Sequence, residues 1–348
     1  LSKFQVFGDK KRAFYRPKLG VLLMECVFCS GSVSEEWSLG ELPPSDTFSL
    51  SKAESLNVVC EQLSIGICNE CGLTQNTEIV SEQLRYEETD YAYNSANSDY
   101  AKQHWAGFVD YLQKNLNNQL MSKVLEIGSN DGYCAGLLKS KEINAEIYGV
   151  DASGFQVARA AKIYKDIEFR KCIFGIDPDE FEDQSFDLIY ANNVVNHANK
   201  LHAFLSRAAC LLNDGGRLVF EVPLLDLMFI NEKWDQIYHE HVSYFSVNSI
   251  LTIISKVGLK LSSLEINDYH GGSARVTCSK ESFGPAFCVY GSLGSTANNI
   301  KQLKSKAEEQ KKRLSLKISE IKKDPYAKIY FFGAPAKGVT FINYCGLT

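Results

Sequence analysis

The segment VLEIGSNDG, residues 124–132, decides the fold of this chain. Its opening residues are mostly apolar and predict a buried parallel strand. Gly128 and Gly132 then allow a tight turn, and a helix is predicted to begin near Tyr133. Glycines let a ligand approach the backbone closely, and the amide groups at the start of the helix face the ends of the strands. The segment therefore predicts a cofactor site at this turn.

Two classes of cofactor use such a turn. A dinucleotide site prefers glycine at the second position of G-x-G-x-x-G, and Asn130 stands there, which weakens the dinucleotide interpretation. Glu126 suits a cofactor that carries an amino group and a positive charge. The pattern E-x-G-x-x-x-G resembles the S-adenosylmethionine site of Rossmann-like methyltransferases, with Glu126, Gly128, Asn130 and Gly132 as cofactor-binding residues. On this motif alone, a turn that only joins a strand to a helix is an equal alternative.

Composition limits the classes of protein that this chain can represent. It has 348 residues, 45% of them hydrophobic, which is enough for two or three domains. The net charge of -5 gives no electrostatic reason to expect nucleic acid as a partner. No membrane-length apolar run and no signal-peptide pattern appear, so we expect a cytoplasmic protein with no membrane partner. The ends at Leu1 and Thr348 read as those of a fragment, and the oligomeric state stays open.

The first motif in chain order is a pair of C-x-x-C knuckles, Cys26 to Cys29 and Cys68 to Cys71. Four thiolates at this spacing predict a tetrahedral zinc site, with Cys60 as an alternative ligand. Sulfur would fill all four coordination positions, so the zinc is predicted to be structural. It would hold together a segment that looks too rich in loops to build its own core.

Strands and helices alternate from residue 124 to residue 222, which predicts a doubly wound parallel sheet. The further strands are predicted at 146–150, near Phe169, at 186–190 and at 217–222, with helices at 132–140, 155–164 and 201–212. Asp151 ends the second strand, where a carboxylate can accept both ribose hydroxyls of an adenosine cofactor. Asn193 follows the fourth strand and could also contact the cofactor. His197 lies four residues on, and its spacing alone favours packing or a helix start.

A cluster of ionisable residues follows the fifth strand in the sequence IYHEHVSYF, residues 237–245. An exposed polar loop or a metal site are alternatives, although H-E-H offers no helical i, i+4 pair of metal ligands. In an extended segment His239 and His241 would face one way and Tyr238 and Glu240 the other, unless a sharp turn intervenes. Ionisable clusters near a cofactor crevice favour acid–base chemistry.

The last third of the chain predicts a sheet edge and then a new unit. A helix at 246–257, a strand at 259–267 and an antiparallel strand at 274–279 are followed by a long amphipathic helix at 297–323. A strand at 328–332 and GAPAKG, residues 333–338, then predict the start of a second α/β domain. The amides of this turn and Lys337 could hold a phosphate, although the turn lacks P-loop spacing and could simply connect two elements.

Taken in order, these motifs resemble the nucleotide-sugar C-methyltransferase family over nearly the whole chain. The blocks that carry the resemblance are C-x-x-C, C-x-x-C-G-L, E-I-G-S-N-D-G, N-N-V-x-x-H, E-V-P, I-Y-H-E-H-x-S-Y-F, H-G-G-S-x-R and G-A-P-A-K-G. The resemblance implies a zinc-binding domain at 1–80, a Rossmann-like class I methyltransferase domain at 81–285 and a C-terminal α/β domain from 286. Residues 81–118 would form a lid and a leading helix. Asp46 departs from the family, in which asparagine is common.

The resemblance also implies an activity and its residues. Members transfer a methyl group from S-adenosylmethionine to a carbon, typically C3, of a nucleotide-linked 4-keto-deoxysugar. The family's base matches His241, with Glu240, Tyr238 and His197 around it and Tyr93 on the lid. We expect His270 and Lys337 to contact the substrate.

The chemistry of carbon methylation suits these residue types. Carbon is a poor nucleophile, so a base must remove the proton beside the ketone and hold the enolate against the sulfonium methyl. We expect His241, with a pKa near neutrality, to be that base. Glu240 would either orient it or anchor a hydroxyl, and Tyr238 or His197 would donate to the oxyanion. Methylation of a sugar hydroxyl, or a non-catalytic interaction module with the same fold, are the alternatives.

Overall fold

The computed structural model describes residues 24–45, 51, 57–82, 85, 94–116, 121–141, 144–281, 295–331 and 335–347. In these ranges the strands are β1 (Val33–Leu42), β2 (Glu61–Cys68), β3 (Thr74–Asn76), β4 (Lys123–Ile127), β5 (Glu146–Asp151), β6 (Glu168–Lys171), β7 (Phe186–Asn192), β8 (Leu212–Pro223), β9 (Ser243–Tyr244), β10 (Lys260–Asn267) and β11 (Ser273–Ser279). The helices are α1 (Asp99–Leu116), α2 (Tyr133–Ser140), α3 (Gly154–Ile163), α4 (Leu201–Leu211), α5 (Leu225–Ile230), α6 (Val247–Lys256), α7 (Thr296–Ile321) and α8 (Ala336–Tyr344). None of the helices in these ranges has the length and apolar character needed to cross a membrane.

The larger sheet has seven strands in the order β10-β11-β8-β7-β4-β5-β6. Strands β6, β5, β4, β7 and β8 are mutually parallel, whereas β11 runs antiparallel to both β8 and β10. Strand order reverses beside β4, so a crevice opens at the carboxyl ends of β4 and β7. This mixed sheet confirms the predicted α/β Rossmann-like methyltransferase fold. The predicted elements from residue 124 to residue 279 are all present, with bounds that shift by a few residues.

A second sheet of four strands, in the order β1-β2-β3-β9, was not predicted. Its apolar face carries Trp37, Leu39, Leu63 and Ile65, all buried. These side chains form one core with residues from α7, α8 and the segment after β8. The cysteine-rich segment therefore does not build a core by itself, as expected, because elements distant in sequence complete it.

One predicted strand is absent in the described part of the chain. Residues 328–331, which belong to the strand predicted at 328–332, make no sheet pairing, and Tyr330 is 82% exposed. A strand is stabilised by a neighbour to pair with, and the described residues provide none here. The helix predicted after GAPAKG is present as α8, whereas residues 332–334 lie outside the described ranges.

A buried ionic network joins α1 to the large sheet. Glu221 of β8 is fully buried; its Oε1 accepts a hydrogen bond from Arg275 Nε at 2.7 Å, and its Oε2 lies 2.6 Å from His104 Nε2. Asn267 Nδ2 also donates to Oε1, at 3.2 Å. The His104 ring stacks on Tyr269 with ring centroids 3.7 Å apart. The network fixes α1 beside the crevice, because a buried carboxylate is stabilised only when its partners stay in place.

Glu221→Gln should lower the free energy of unfolding by about 3 kcal/mol, because it leaves the Arg275 guanidinium buried without a carboxylate. Urea denaturation followed by tryptophan fluorescence measures the change. Glu146→Gln is the matched control, since Glu146 lies 4.0 Å from Lys123 at the surface and should change stability by no more than about 0.5 kcal/mol. Equal effects of the two substitutions would contradict a stabilising role for the network.

Candidate active site

The turn between β4 and α2 is shaped by two glycines. Gly128 has a φ of +73°, and a Cβ built on it would lie 2.2 Å from Val194 Cγ2. Gly132 has a φ of +76°, and its Cβ would lie 2.8 Å from Phe169 Cζ. Both positions combine a left-handed backbone with a close neighbour, so no side chain fits. The turn thus brings bare backbone to the crevice, as the sequence predicted for a cofactor site.

Glu126 lines the crevice beneath this turn and is buried. Its Oε2 accepts a hydrogen bond from the Ala135 amide at 3.1 Å, in the first turn of α2. Burial raises the pKa of the Glu126 carboxyl well above its ordinary value, although this hydrogen bond opposes the shift. A cation bound beside Glu126 would favour the ionised carboxylate. Glu126 is therefore suited to a positively charged ligand group, as the sequence indicated.

Asp151 ends β5 on the same crevice. Its Oδ2 accepts from the Asn130 amide at 2.8 Å and its Oδ1 from the Ser153 amide at 2.8 Å. These bonds fix the carboxylate plane but leave each oxygen with capacity for a second donor. Burial raises the pKa of Asp151 to about 6 despite the two amide donors. Asn130 also has a positive φ of 49°, and its Oδ1 accepts from the Ser95 amide at 3.1 Å.

Asn192 ends β7, Asn193 follows it, and the two complete this side of the crevice. Both side-chain amides are buried, and neither has a hydrogen-bond partner among the described residues. The Asn193 backbone has a φ of 55°, and its amide donates to the Glu221 carbonyl at 2.8 Å. Two unsatisfied amides in a crevice offer donors and acceptors to a ligand, because buried polar groups normally have partners.

The 238–241 segment forms a turn rather than an extended strand. The His241 amide donates to the Tyr238 carbonyl at 3.1 Å, which brings the two side chains together. The Tyr238 hydroxyl lies 2.6 Å from His241 Nε2, and His241 Nδ1 lies 3.0 Å from the Gln236 carbonyl. Because a carbonyl only accepts, Nδ1 carries the proton and Nε2 accepts from the Tyr238 hydroxyl. The segment is therefore not extended, so its side chains do not alternate between two faces. The sharp turn that the sequence left open is present instead.

His241 lines the same crevice as Gly128, but its pKa differs from expectation. Burial lowers the pKa of His241 well below the ordinary value, with His197 and Lys337 as further causes, so the expected pKa near neutrality is wrong. The His197 ring lies 5.0 Å from the His241 ring. Burial lowers the pKa of His197 to about 3, although a hydrogen bond to the Glu240 carbonyl opposes this. Both imidazoles are therefore neutral acceptors or donors at neutral pH.

The two other members of the turn have different surroundings. Glu240 lines the crevice, and its Oε1 accepts from the Ser45 amide at 3.0 Å. His239 Nε2 lies 3.0 Å from the Glu61 carbonyl, and burial lowers the pKa of His239 to about 4. A carbonyl partner makes His239 Nε2 a donor. His239 therefore attaches the turn to β2 and stays out of the predicted site.

Sequence reasoning missed Arg85, which holds two parts of the site together. Its Nη1 donates to the Glu240 carbonyl at 3.3 Å, and its Nη2 donates to the His197 carbonyl at 3.1 Å. Nη2 also donates to Asn199 Oδ1 at 2.5 Å. Several donors in one planar group let Arg85 fix both histidine-bearing segments. Nothing in the sequence pattern marks it, because the contacts span more than 100 residues.

The predicted substrate residues lie beside each other: His270 lines the crevice, and Lys337 lines an adjacent pocket that His270 shares. Lys337 Nζ donates to the His270 carbonyl at 3.1 Å, and burial lowers the pKa of Lys337. Burial also lowers the pKa of His270 to about 3, and His270 lies in the crevice wall with a φ of 53°. The structure thus brings His270 and Lys337 together with the histidine pair. Tyr93 lies outside the described residues.

Comparison with known proteins identifies the class of this crevice. Residues 98–264 match the family described as "Methyltransferase domain". The C-methyltransferase NovU of Streptomyces niveus is 24% identical over 82% of this chain and 69% of its own length. A ubiquinone biosynthesis O-methyltransferase of Bradyrhizobium sp. (strain ORS 278) is 35% identical over 30% of this chain and 42% of its own length. This chain carries a methyltransferase domain dependent on S-adenosylmethionine.

Two solved structures with similar folds each align with slightly more than half of this chain. PH0226 protein from Pyrococcus horikoshii OT3 aligns over 58% of this chain and 100% of its own, with a TM-score of 0.46 and 16% identity. The CurJ carbon methyltransferase aligns over 53% of this chain and 56% of its own, with a TM-score of 0.43 and 18% identity.

The four predicted metal ligands lie together at one end of the small sheet. The Sγ atoms of Cys26 and Cys71 are 3.6 Å apart, those of Cys29 and Cys68 are 3.4 Å apart, and all four lie within 4.8 Å of one another. Tetrahedral zinc with Zn–S bonds of about 2.3 Å requires sulfur separations of about 3.8 Å. A hydrogen bond with the Cys71 thiol lowers the pKa of Cys26 to about 5. The geometry fits a four-sulfur zinc site, and Cys60 is not part of the cluster.

The affinity of the methyltransferase for S-adenosylmethionine should fall about tenfold from about pH 7 to about pH 5. The pKa of Asp151 is raised to about 6, so below that pH the carboxyl carries a proton and would accept fewer hydrogen bonds from the ribose hydroxyls that the sequence predicts there. Calorimetric titration of the protein at the two pH values measures the change. Asp151→Asn should bind weakly with little dependence on pH. An unchanged pH dependence in this variant would show that another group titrates.

Proposed function

We propose that this methyltransferase moves the methyl group of S-adenosylmethionine to a ring carbon, C3, of a nucleotide-linked 4-keto-deoxysugar. The observation that carries the proposal is the Tyr238–His241 pair, in which an unprotonated Nε2 faces the crevice beside the cofactor turn. A C-methyltransferase is also among the relatives that align over most of the chain.

We propose further that the protein acts in the cytoplasm, with no nucleic-acid or membrane partner.

His241 is the proposed base. Nδ1 carries the ring proton and donates it to the Gln236 carbonyl, so Nε2 is the ring nitrogen that can accept a proton. At neutral pH the depressed pKa keeps the imidazole neutral and ready to accept. Burial also weakens it as a base, but the negative charge that develops on the enolate oxygen would stabilise the imidazolium. Proton removal and enolate formation are thus coupled through charge.

Neighbouring groups supply the remaining roles. The Tyr238 hydroxyl, which donates to His241 Nε2 in the structure, would turn to donate to the oxyanion when substrate binds. His197 donates its single ring proton to the Glu240 carbonyl, so its Nδ1, which has no hydrogen-bond partner among the described residues, would accept from a sugar hydroxyl rather than donate to the oxyanion. Glu240 would accept from a sugar hydroxyl, and Tyr93 would cover the substrate. Lys337 and His270 would receive the nucleotide diphosphate at the mouth of the crevice.

The cofactor side of the crevice provides binding and orientation. Glu126 would pair with the amino group of S-adenosylmethionine, Asp151 with the ribose hydroxyls, and Asn193 with a polar edge of the cofactor. Gly128 and Gly132 would let the cofactor lie against the backbone. Four cysteines, Cys26, Cys29, Cys68 and Cys71, would hold a structural zinc ion with no open coordination position.

The substrate class can be tested with labelled S-adenosylmethionine and a panel of nucleotide-linked sugars. Label should enter 4-keto-deoxysugars at a carbon and should not enter the matching 4-hydroxy sugars, because these cannot form an enolate. Label on the oxygen of a 4-hydroxy sugar would instead support O-methylation, the activity in the name of the Bradyrhizobium relative.

His241→Asn should lower methyl transfer by about a hundredfold or more, because no base remains to form the enolate. Its side-chain amide can still donate to the Gln236 carbonyl, which favours an intact turn. Loss of solvent exchange at the substrate C3 proton, measured by deuterium incorporation, should accompany the loss of transfer.

Two controls define the outcome for His241→Asn. Binding of S-adenosylmethionine should be unchanged, because His241 lies on the substrate side. His202→Asn, at an exposed position of α4, should retain both exchange and transfer. Retained C3 exchange in His241→Asn would show that a different residue is the base.

A further inference from the structure

The catalytic turn, defined as residues 238–242, is attached to the cysteine module, defined as residues 24–45 and 57–76. The two segments are separated by about half of the chain, yet β9 directly follows the turn and pairs with β3 of the module. Gln75 lies opposite Ser243, and Thr74 lies opposite Tyr244. The small sheet therefore contains strands from both segments, and the turn enters it directly.

Asn76 is the residue that connects the turn to this sheet. It is fully buried, and its Nδ2 donates to the carbonyls of Tyr238 at 3.2 Å and His239 at 3.3 Å. Its backbone amide donates to the Val242 carbonyl at 2.9 Å, and its Oδ1 accepts from the Tyr244 hydroxyl at 2.9 Å. One buried side chain thus binds the beginning of the turn, and the backbone of the same residue binds its end.

The neighbouring residue, Gln75, binds the first cysteine knuckle. Its Oε1 accepts from the Val27 amide at 2.9 Å, and its Nε2 donates to the Glu25 carbonyl at 3.2 Å. Successive side chains of a strand point to opposite faces, so β3 presents Gln75 to the knuckle and Asn76 to the turn. Cys71 of the second knuckle lies three positions before Thr74 of β3. Both halves of the cysteine cluster are therefore adjacent to the strand that holds the turn.

Two further contacts join the module to the turn. The Ser45 amide donates to Glu240 Oε1, and His239 donates to the Glu61 carbonyl. By contrast, the cofactor turn depends on the large sheet, because the amides of Gly128 and Ser129 donate to the Val150 carbonyl at 2.7 and 3.0 Å. The substrate side and the cofactor side of the crevice thus have separate supports.

We infer that the cysteine module positions the catalytic turn through Asn76, so that disturbing the module impairs proton removal without impairing cofactor binding. Asn76 is a positioning residue, since its side chain bonds the backbone of the turn and the Tyr244 hydroxyl. The catalytic part of the inference rests on the proposed function. The structural part, that the order of the turn depends on Asn76 and the cysteine cluster, does not.

The test compares metal-replete variants of the whole chain by amide hydrogen exchange. Asn76→Ala should speed exchange at residues 238–242 about tenfold or more, because several buried hydrogen bonds are lost. Tyr244→Phe removes only the hydroxyl bound to Asn76 Oδ1 and should give a smaller change in the same peptides. The double variant should add little to Asn76→Ala, because both substitutions act on one network.

Asn69→Ala is the matched control within the module. Asn69 lies in the second knuckle, and its side chain bonds Ser32 and Ser34 rather than the described residues of the catalytic turn. It should leave exchange in the turn unchanged. Zinc content measured by mass spectrometry and the dissociation constant for S-adenosylmethionine should stay within about twofold of the parent protein in all variants.

A chelator provides the second arm of the test, with the unsubstituted protein. Removing metal should speed exchange at 238–242 while the peptides around Gly128 keep their protection. In Asn76→Ala the kcat for a substrate found in the labelled panel should fall about tenfold or more, with a smaller change in KM. Unchanged exchange in the turn, in both Asn76→Ala and the chelated protein, would overturn the inference. Faster exchange in a protein that methylates no 4-ketosugar would reject the proposed function instead and leave the structural link standing.

Discussion

The contact between the backbone of Gly128 and the side chain of Val194 determines how the crevice is built. A single added carbon at Gly128 would lie 2.2 Å from Val194 Cγ2, so β4 and the segment after β7 approach as closely as backbone permits. Because these strands are neighbours in the parallel sheet, the approach places Glu126, Asp151 and Asn193 around one space. Gly128 and Asn193 both have a positive φ, so the chain changes direction where it leaves β4 and where it leaves β7. Close packing here is therefore the condition for a cofactor site above it.

The fold was largely predictable from sequence because its strongest signals are local. The parallel strands are short apolar runs, and the turn after β4 has glycines at the positions where the backbone is left-handed. The amphipathic repeat of α7 likewise places Ile300, Leu303 and Ala307 in a core. Strands β3 and β9 of the small sheet have no comparable local signal, because they have only three and two residues and pair across more than 160 positions. Short strands with distant partners carry too little periodicity to predict.

The same limit separates the predicted site residues from the missed ones. His241 and Tyr238 were identified because ionisable residues are concentrated in one short stretch, and their mutual contact follows from the turn that the stretch forms. Asn76 and Arg85 act on backbone carbonyls of that stretch from distant segments. A residue that binds carbonyls needs only a donor, so an isolated asparagine or arginine in the sequence does not reveal it. The support of a site is therefore less visible in sequence than the groups that it supports.

Burial keeps the imidazoles of the crevice neutral, and the positive charge of Lys337 favours an anion on the substrate side. Burial lowers the pKa of His197, His241 and His270, and Lys337 lowers further the pKa of His241 and of His270 through its positive charge. An anion bound at Lys337 would offset that charge and so raise the pKa of His241 toward its ordinary value. If the nucleotide diphosphate lies there, its arrival strengthens the base at the moment when the ketone is in place. A neutral sugar without the diphosphate would lack this effect, so the proposed substrate class and the strength of the base are linked through one lysine.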